Sequence, residues 1–212
     1  MARVRKISRR PRTEKNWFVV DACFLANRFI PPDRAPVGIQ RDRIVRCAEW
    51  WDEIEDQLAR RRARVYIPDI CIAEAFKVLA KKYYKENWFR NSQDYNYYRS
   101  RLRSRISTPV KELRRAGRHI SYHDIPSTRD IIVAVDRFYE LYFRHGKTVS
   151  VPDLIVVATA KYLMDFFDAS KASLHIVTLD RQLRDGSKKI LELPNAHDPT
   201  MACDARDRVF AG

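Results

Sequence analysis

The sequence predicts an α/β protein built on a parallel sheet with helices on both faces. Three observations predict it. Short apolar segments rich in β-branched and aromatic residues recur along the chain, among them "WFVVDACFL", "RVYIP" and "LHIVTLD". Longer segments with helical apolar spacing alternate with them. The strand segments read as continuous apolar runs, the pattern of strands buried on both faces.

The elements follow in order. The first run, 17–25, is a strand, and "PPDRAPVG" is a loop. From Gln40 to about Arg62, Ile44, Val45, Ala48, Trp51, Ile54 and Leu58 recur at helical spacing. "RVYIP" (64–68) is a second strand, and Pro68 suits the start of the helix "DICIAEAFKVLAKKYY". "RHISYHDIP" (118–126) holds a third strand, after which Ser127 or Thr128 caps "RDIIVAVDRFYELYF". A helix over 151–167, a fourth strand over 174–180 and a fifth strand at "KKILEL" (188–193) complete the set.

The chain has 212 residues, enough for one sizeable core with an elaboration. Its net charge of +14 bears on partners: nucleic acid first, then an anionic membrane surface or an acidic protein. The four cysteines form no C-x-x-C pair and suggest no disulfide framework, so a reducing cytoplasm is the expected compartment. The basic N-terminus lacks the apolar stretch of a secretory signal. "VSVPDLIVVATAKYLMDFF" is interrupted by Asp153, Lys161 and Asp165, which makes it a core helix and no membrane span. Residues 1–16 read as a flexible basic arm, whose first fifteen residues carry a net +6 (Arg3, Arg5, Lys6, Arg9, Arg10, Arg12 and Lys15 against Glu14). The domain proper is 17–193, with a basic aromatic insertion at 81–118 and a C-terminal tail at 194–212.

Four acids stand where a parallel sheet gathers its functional groups, beyond the carboxyl ends of the strands. Asp21 ends the first strand and Asp180 the fourth. Glu74 lies in the helix leaving the second strand, and Asp153 opens the helix leading to the fourth. Asp21, Asp153 and Asp180 each also suit a turn or helix cap. Glu74 is harder to place innocently, because its helix is largely apolar and an unpaired buried charge is costly. Converging carboxylates repel one another, and divalent cations relieve that conflict. An oxygen-only set suits Mg²⁺ or Mn²⁺, and such ions support phosphodiester hydrolysis.

The order and context of these acids resemble PIN-domain nucleases, most of all the VapC-type toxin ribonucleases of type II toxin–antitoxin pairs. "VVDACFLA" is similar to the family's opening strand, "PDICIAEAFKVL" to its Glu-bearing helix, "VSVPDLIVVATAKYL" to its Asp-led apolar helix, and "IVTLDRQL" to its strand ending in Thr-x-Asp. The resemblance implies a three-layer α/β/α fold with a central parallel sheet of about five strands and a helical insertion. It implies catalytic, metal-binding roles for Asp21, Glu74, Asp153 and Asp180, with Thr178 supporting Asp180. It also implies an antitoxin partner, acidic where it meets this chain, and a homodimer. Two features depart from the pattern. Cys23 stands where the family usually has Ser, Thr or Asn supporting the metal site, and a thiol is a poor hydrogen-bond donor. The segment between the Glu-bearing helix and the third strand is also longer than the family's.

Residues 81–118 carry twelve Lys or Arg, interleaved with Tyr83, Tyr84, Trp88, Phe89, Tyr95, Tyr97 and Tyr98. Lys81, Lys82, Arg99, Arg101, Arg103, Arg105, Arg114 and Arg115 are therefore candidates for RNA phosphates, with the aromatics facing unpaired bases. The same composition also suits a packed helical hairpin with a solvated outer face. His119 and His123 share a strand face but are expected to be structural. The expected function is divalent-metal-dependent ribonuclease activity. DNA or junction cleavage is a rival within nucleases, and a non-catalytic RNA-binding protein is a rival of another class.

Overall fold

The computed structural model describes residues 16–107, 122–201 and 209–210. Five parallel strands form one sheet: β1 (Asn16–Val20), β2 (Ala63–Pro68), β3 (Tyr122–Ile125), β4 (Leu174–Val177) and β5 (Asn195–His197). Their spatial order is β3-β2-β1-β4-β5, every neighbouring pair being parallel. The chain moves outward from β1 in one direction to β2 and β3, then returns to the other side of β1 for β4 and β5. The order therefore reverses between β1 and β4, and the crevice beyond their carboxyl ends is the topological switch point.

Helices flank the sheet to give the expected three-layer α/β/α arrangement. They are α1 (Ala22–Asn27), α2 (Ile39–Ala59), α3 (Asp69–Tyr84), α4 (Ser92–Ser107), α5 (Arg129–Arg144), α6 (Val151–Phe166) and α7 (Arg181–Ser187). Phe18, Val19 and Val20 of β1 and all four residues of β4 are buried, as strands covered on both faces must be. Trp51 of α2 stacks on Phe24 of α1 with ring centroids 4.7 Å apart, and its indole N–H donates to the Phe24 carbonyl. The described cysteines, Cys23, Cys47 and Cys71, are free thiols.

Three strand expectations are corrected. The fourth strand is Leu174–Val177 and not 174–180, because Asp180 already caps α7. The first strand stops at Val20 instead of running to residue 25, because the Asp21 carboxylate accepts the Phe24 N–H at 2.6 Å and starts α1. This short helix buries Ala22, Phe24, Leu25 and Ala26, so its sequence reads as an unbroken apolar run. The segment 188–193 is a turn, and the fifth strand is Asn195–His197. Ile190 and Leu193 are both buried while Leu191 points to solvent, and the Leu193 N–H bonds the Ile190 carbonyl. A strand would have put Glu192 on the same face as Ile190, so the turn is the arrangement that keeps that charge out of the core.

The insertion is helical in its described part. α4 is tied to the body by Arg34, whose Nε donates to Asp94 at 2.7 Å and whose Nη2 reaches the other carboxylate oxygen at 3.2 Å. The basic arm before Asn16, together with Arg114, Arg115 and His119, lies outside the described residues. No helix among the described residues is long and apolar enough to cross a membrane.

Candidate active site

Asp21 sits at the switch point. Its N–H donates to the Val177 carbonyl at 3.1 Å, joining the ends of β1 and β4. One carboxylate oxygen takes the Phe24 N–H, and the other takes the Thr178 hydroxyl at 2.6 Å and the Leu179 N–H at 3.1 Å. Only 5% of Asp21 is exposed. Burial outweighs these donors, with a contribution from the Asp153 charge, and lifts its pKa to about 6.

Thr178 connects two of the acids. While its hydroxyl donates to Asp21, the same oxygen accepts the Asp180 N–H at 2.9 Å. Asp180 in turn caps α7, its Oδ1 accepting the Leu183 N–H at 2.7 Å. Asp180 is thus a helix cap, and its charge also acts on Asp153.

Asp153 is the third residue of α6, whose N-cap is Ser150; the Ser150 hydroxyl donates to the Asp153 carboxylate at 2.5 Å. A helix N-terminus ordinarily favours an ionised carboxylate. Here burial and then the nearby Asp180 charge raise the pKa of Asp153. Glu74, in the second turn of α3, is half-buried, and burial followed by the Asp153 charge raises its pKa while Lys77 opposes the shift. Burial is the main cause in each case, and charge adds to it: Asp153 raises Asp21 and Glu74, and Asp180 raises Asp153.

Cys23 retains solvent contact at the rim. Its packed surroundings, and after them Asp21, Asp153 and Glu74, push its thiol up to about 12, so it stays protonated at neutral pH.

Support from behind came from residues the sequence reading did not single out. The Tyr142 hydroxyl meets the Leu183 carbonyl at 3.1 Å and the Ser187 hydroxyl at 2.6 Å. Its ring lies against Gly186, where any β-carbon would overlap ring atoms. This contact sets how closely α7, and with it Asp180, approaches α5. A glycine in a short amphipathic turn was the available signal, but its partner lies far away in the sequence.

The candidate RNA contacts divide. Lys82 is committed within the fold: its ammonium lies 3.5 Å from the centre of the Trp88 ring and 2.6 Å from Glu86. Arg105 pairs with Glu55 at 3.4 Å, and Arg101 lies over the Tyr97 ring at 5.8 Å. Arg103 and Lys81 are exposed, and Arg99 is half-buried. Arg28, Trp51, Glu55, Arg101 and Arg105 contribute to a cavity of about 360 Å³ that none of the four acids lines.

Among the described residues no group of three His, Cys, Asp or Glu side chains forms a ready-made metal cage. The four carboxylates offer only oxygen donors, the chemistry that hard ions such as Mg²⁺ or Mn²⁺ prefer. Mg²⁺ commonly keeps several waters and takes only one or two carboxylates directly.

Comparison with known proteins adds the fold. At 18% identity, the chain is similar to one in the structure of FitAB bound to an IR36 DNA fragment (TM-score 0.50), covering 87% of this chain and 96% of that one. At 13% identity, it is similar to one in the structure of VapBC2 from Rickettsia felis bound to a promoter DNA fragment (TM-score 0.51), covering 86% and 98%. The chain shares their fold. Its sequence matches no protein-family model and no curated protein.

Proposed function

We propose that the chain is a divalent-metal-dependent ribonuclease that hydrolyses RNA phosphodiester bonds and serves as the toxin of a toxin–antitoxin pair. The observation that carries this reading is the electrostatic convergence of Asp21, Glu74 and Asp180 on Asp153 beside the β1–β4 switch point. Carboxylates that raise one another's pKa within a protein of net charge +14 support a cation-binding reading.

Bound Mg²⁺ or Mn²⁺ would polarise the scissile phosphate and stabilise the leaving oxygen. Asp21, Asp153 and Asp180 would hold the ion directly or through water. Asp21 is kept rigid by Thr178, Leu179 and Phe24, and Asp180 by its cap on α7. Glu74, half-exposed and of raised basicity, orients the attacking water and takes its proton. Exposed cations of α3 and α4 hold the flanking strand.

The similar structures are assemblies bound to DNA, one of them to promoter DNA. By analogy, an acidic antitoxin in the cytoplasm covers the basic face of this chain. Exposed Tyr139 and Phe143 on α5, and Tyr162 and Phe166 on α6, supply an apolar face for a second copy.

The test is cleavage of labelled RNA and of single-stranded DNA by the full chain with Mn²⁺, beside an Asp153→Asn variant that retains the wild-type circular dichroism spectrum. RNA cleavage that falls at least about 100-fold in the variant, equivalent to ~2.7 kcal/mol of barrier, is expected. Wild-type protein inert towards RNA, or equal cleavage by the variant, overturns the reading.

A further inference from the structure

The outer face of α3 leads away from the acids and has its own composition. Cys71, Ala75 and Leu79 form the buried face of this helix. Lys77, Lys81 and Tyr84 follow Glu74 at intervals of three, four and three residues, which places all four on one side. Lys77 and Lys81 are exposed, and Tyr84 is 72% exposed. From Glu74 to Tyr84 the helix rises about 15 Å.

Charge and support distinguish this face from an ordinary solvated one. Lys77 lies near enough to Glu74 to act on its ionisation. Lys81 meets Glu86 at 3.6 Å, but that carboxylate is held more tightly by Lys82 at 2.6 Å. The Tyr84 ring stands edge-on to Tyr83 at 4.7 Å and to Tyr95 at 5.9 Å. Tyr83 and Tyr95 are themselves stacked, 4.6 Å apart and 4° from parallel. Tyr84 is therefore a largely exposed ring backed by an aromatic cluster, at the far end of a lysine row that starts beside Glu74.

We infer that the outer face of α3 is the track for a single-stranded RNA substrate, with Lys77 and Lys81 on its phosphates and the Tyr84 ring stacked on an unpaired base. Stacking demands a base whose face is free, so Tyr84 selects single strands over duplex. The lysines contribute to both, since phosphate contacts carry no such distinction. This rests on the nuclease reading, and it makes Lys77, Lys81 and Tyr84 positioning residues for that reaction.

The experiment measures fluorescence anisotropy of a short labelled RNA, single-stranded or annealed to its complement, with the full chain in EDTA over a range of salt. Tyr84→Ala should weaken single-strand binding about tenfold, leave duplex binding unchanged, and be rescued by Tyr84→Phe. Lys77→Ala combined with Lys81→Ala should weaken both and reduce the salt slope by about 1.4, the release expected for two phosphates. Single-stranded DNA of the same sequence reports whether the ribose matters: equal binding overturns the RNA assignment. Unchanged single-strand affinity in Tyr84→Ala, equal losses for single strand and duplex, or no single-strand binding overturns the track. Tyr84-dependent binding without Mn²⁺-dependent cleavage would instead sink the nuclease reading and leave the track standing.

Discussion

Thr178 links two of the acids with one oxygen, donating to Asp21 and accepting from Asp180. Replacing it with Val keeps the shape, leaves the Asp180 N–H without its acceptor and takes one of three donors from Asp21, at a position with no exposure of its own. Thr178→Val should cost about 1–3 kcal/mol in urea unfolding. It should also raise the Asp21 pKa above about 6, since the Thr178 bond is one of the contacts holding it down. An unchanged unfolding midpoint contradicts that role. Strand-end acids and the Thr-x-Asp spacing were legible in the sequence, because they recur where a parallel strand leaves the core. The dual use of Asp21 and Asp180 as caps and as site members was only half legible. A cap is a local property, whereas coupling to Asp153 depends on how distant segments pack.

At the scale of elements, α7 is positioned by its contact with α5. Gly186→Ala forces a β-carbon into the buried Tyr142 ring. Overpacking of this kind costs about 1–3 kcal/mol, and the displaced helix carries the Asp180 cap. Thermal unfolding should shift down and Mn²⁺-dependent cleavage should fall with it; a variant as stable as wild type contradicts the contact. The long helices α2, α3, α5 and α6 were readable nearly to their ends, since apolar periodicity and flanking caps or prolines agree over many residues. The failures fell on short apolar segments. Residues 22–27 form a helix of under two turns, and 188–193 bury two turn residues three apart, patterns too brief for periodicity to separate helix, strand and turn.

For the whole molecule, stability against pH follows from shifted groups pulling in opposite directions. His175 and His197 meet across β4 and β5 at 3.2 Å. Burial and then His197 lower His175 to about 3, while burial and then Lys188 lower His197 to about 4. Below pH 6.5 the unfolded chain binds protons at these positions that the folded chain refuses, so stability falls on acidification. Asp21 acts the other way: with a folded pKa of about 6, the native state holds a proton the unfolded chain has lost, and stability falls as pH rises from about 4 to 6. Asp153 and Glu74, also raised, pull with Asp21, while Asp69, Glu86 and Asp94, held low by hydrogen bonds, pull with the histidines. Each pH unit of separation is worth about 1.4 kcal/mol per buried group, and both histidines are separated more widely than Asp21. Metal-free protein should therefore melt at progressively lower temperature below pH 6.5; a melting temperature that rises on acidification contradicts this balance. The parallel sheet was legible at this scale, because buried strands alternating with helices allow few alternatives. Strand order was not, since a run of strand-forming residues does not name its neighbour.

The central claim is that the acids around Asp153 form a divalent-cation site. Its most direct measurement is calorimetric titration of Mn²⁺ into the full chain at neutral pH, repeated with Asp153→Asn. Saturable binding by the wild type, abolished or weakened at least about 100-fold in the variant, is the predicted result; in free energy this is ~2.7 kcal/mol. Absence of saturable binding in the wild type, or equal affinity in the variant, would contradict it.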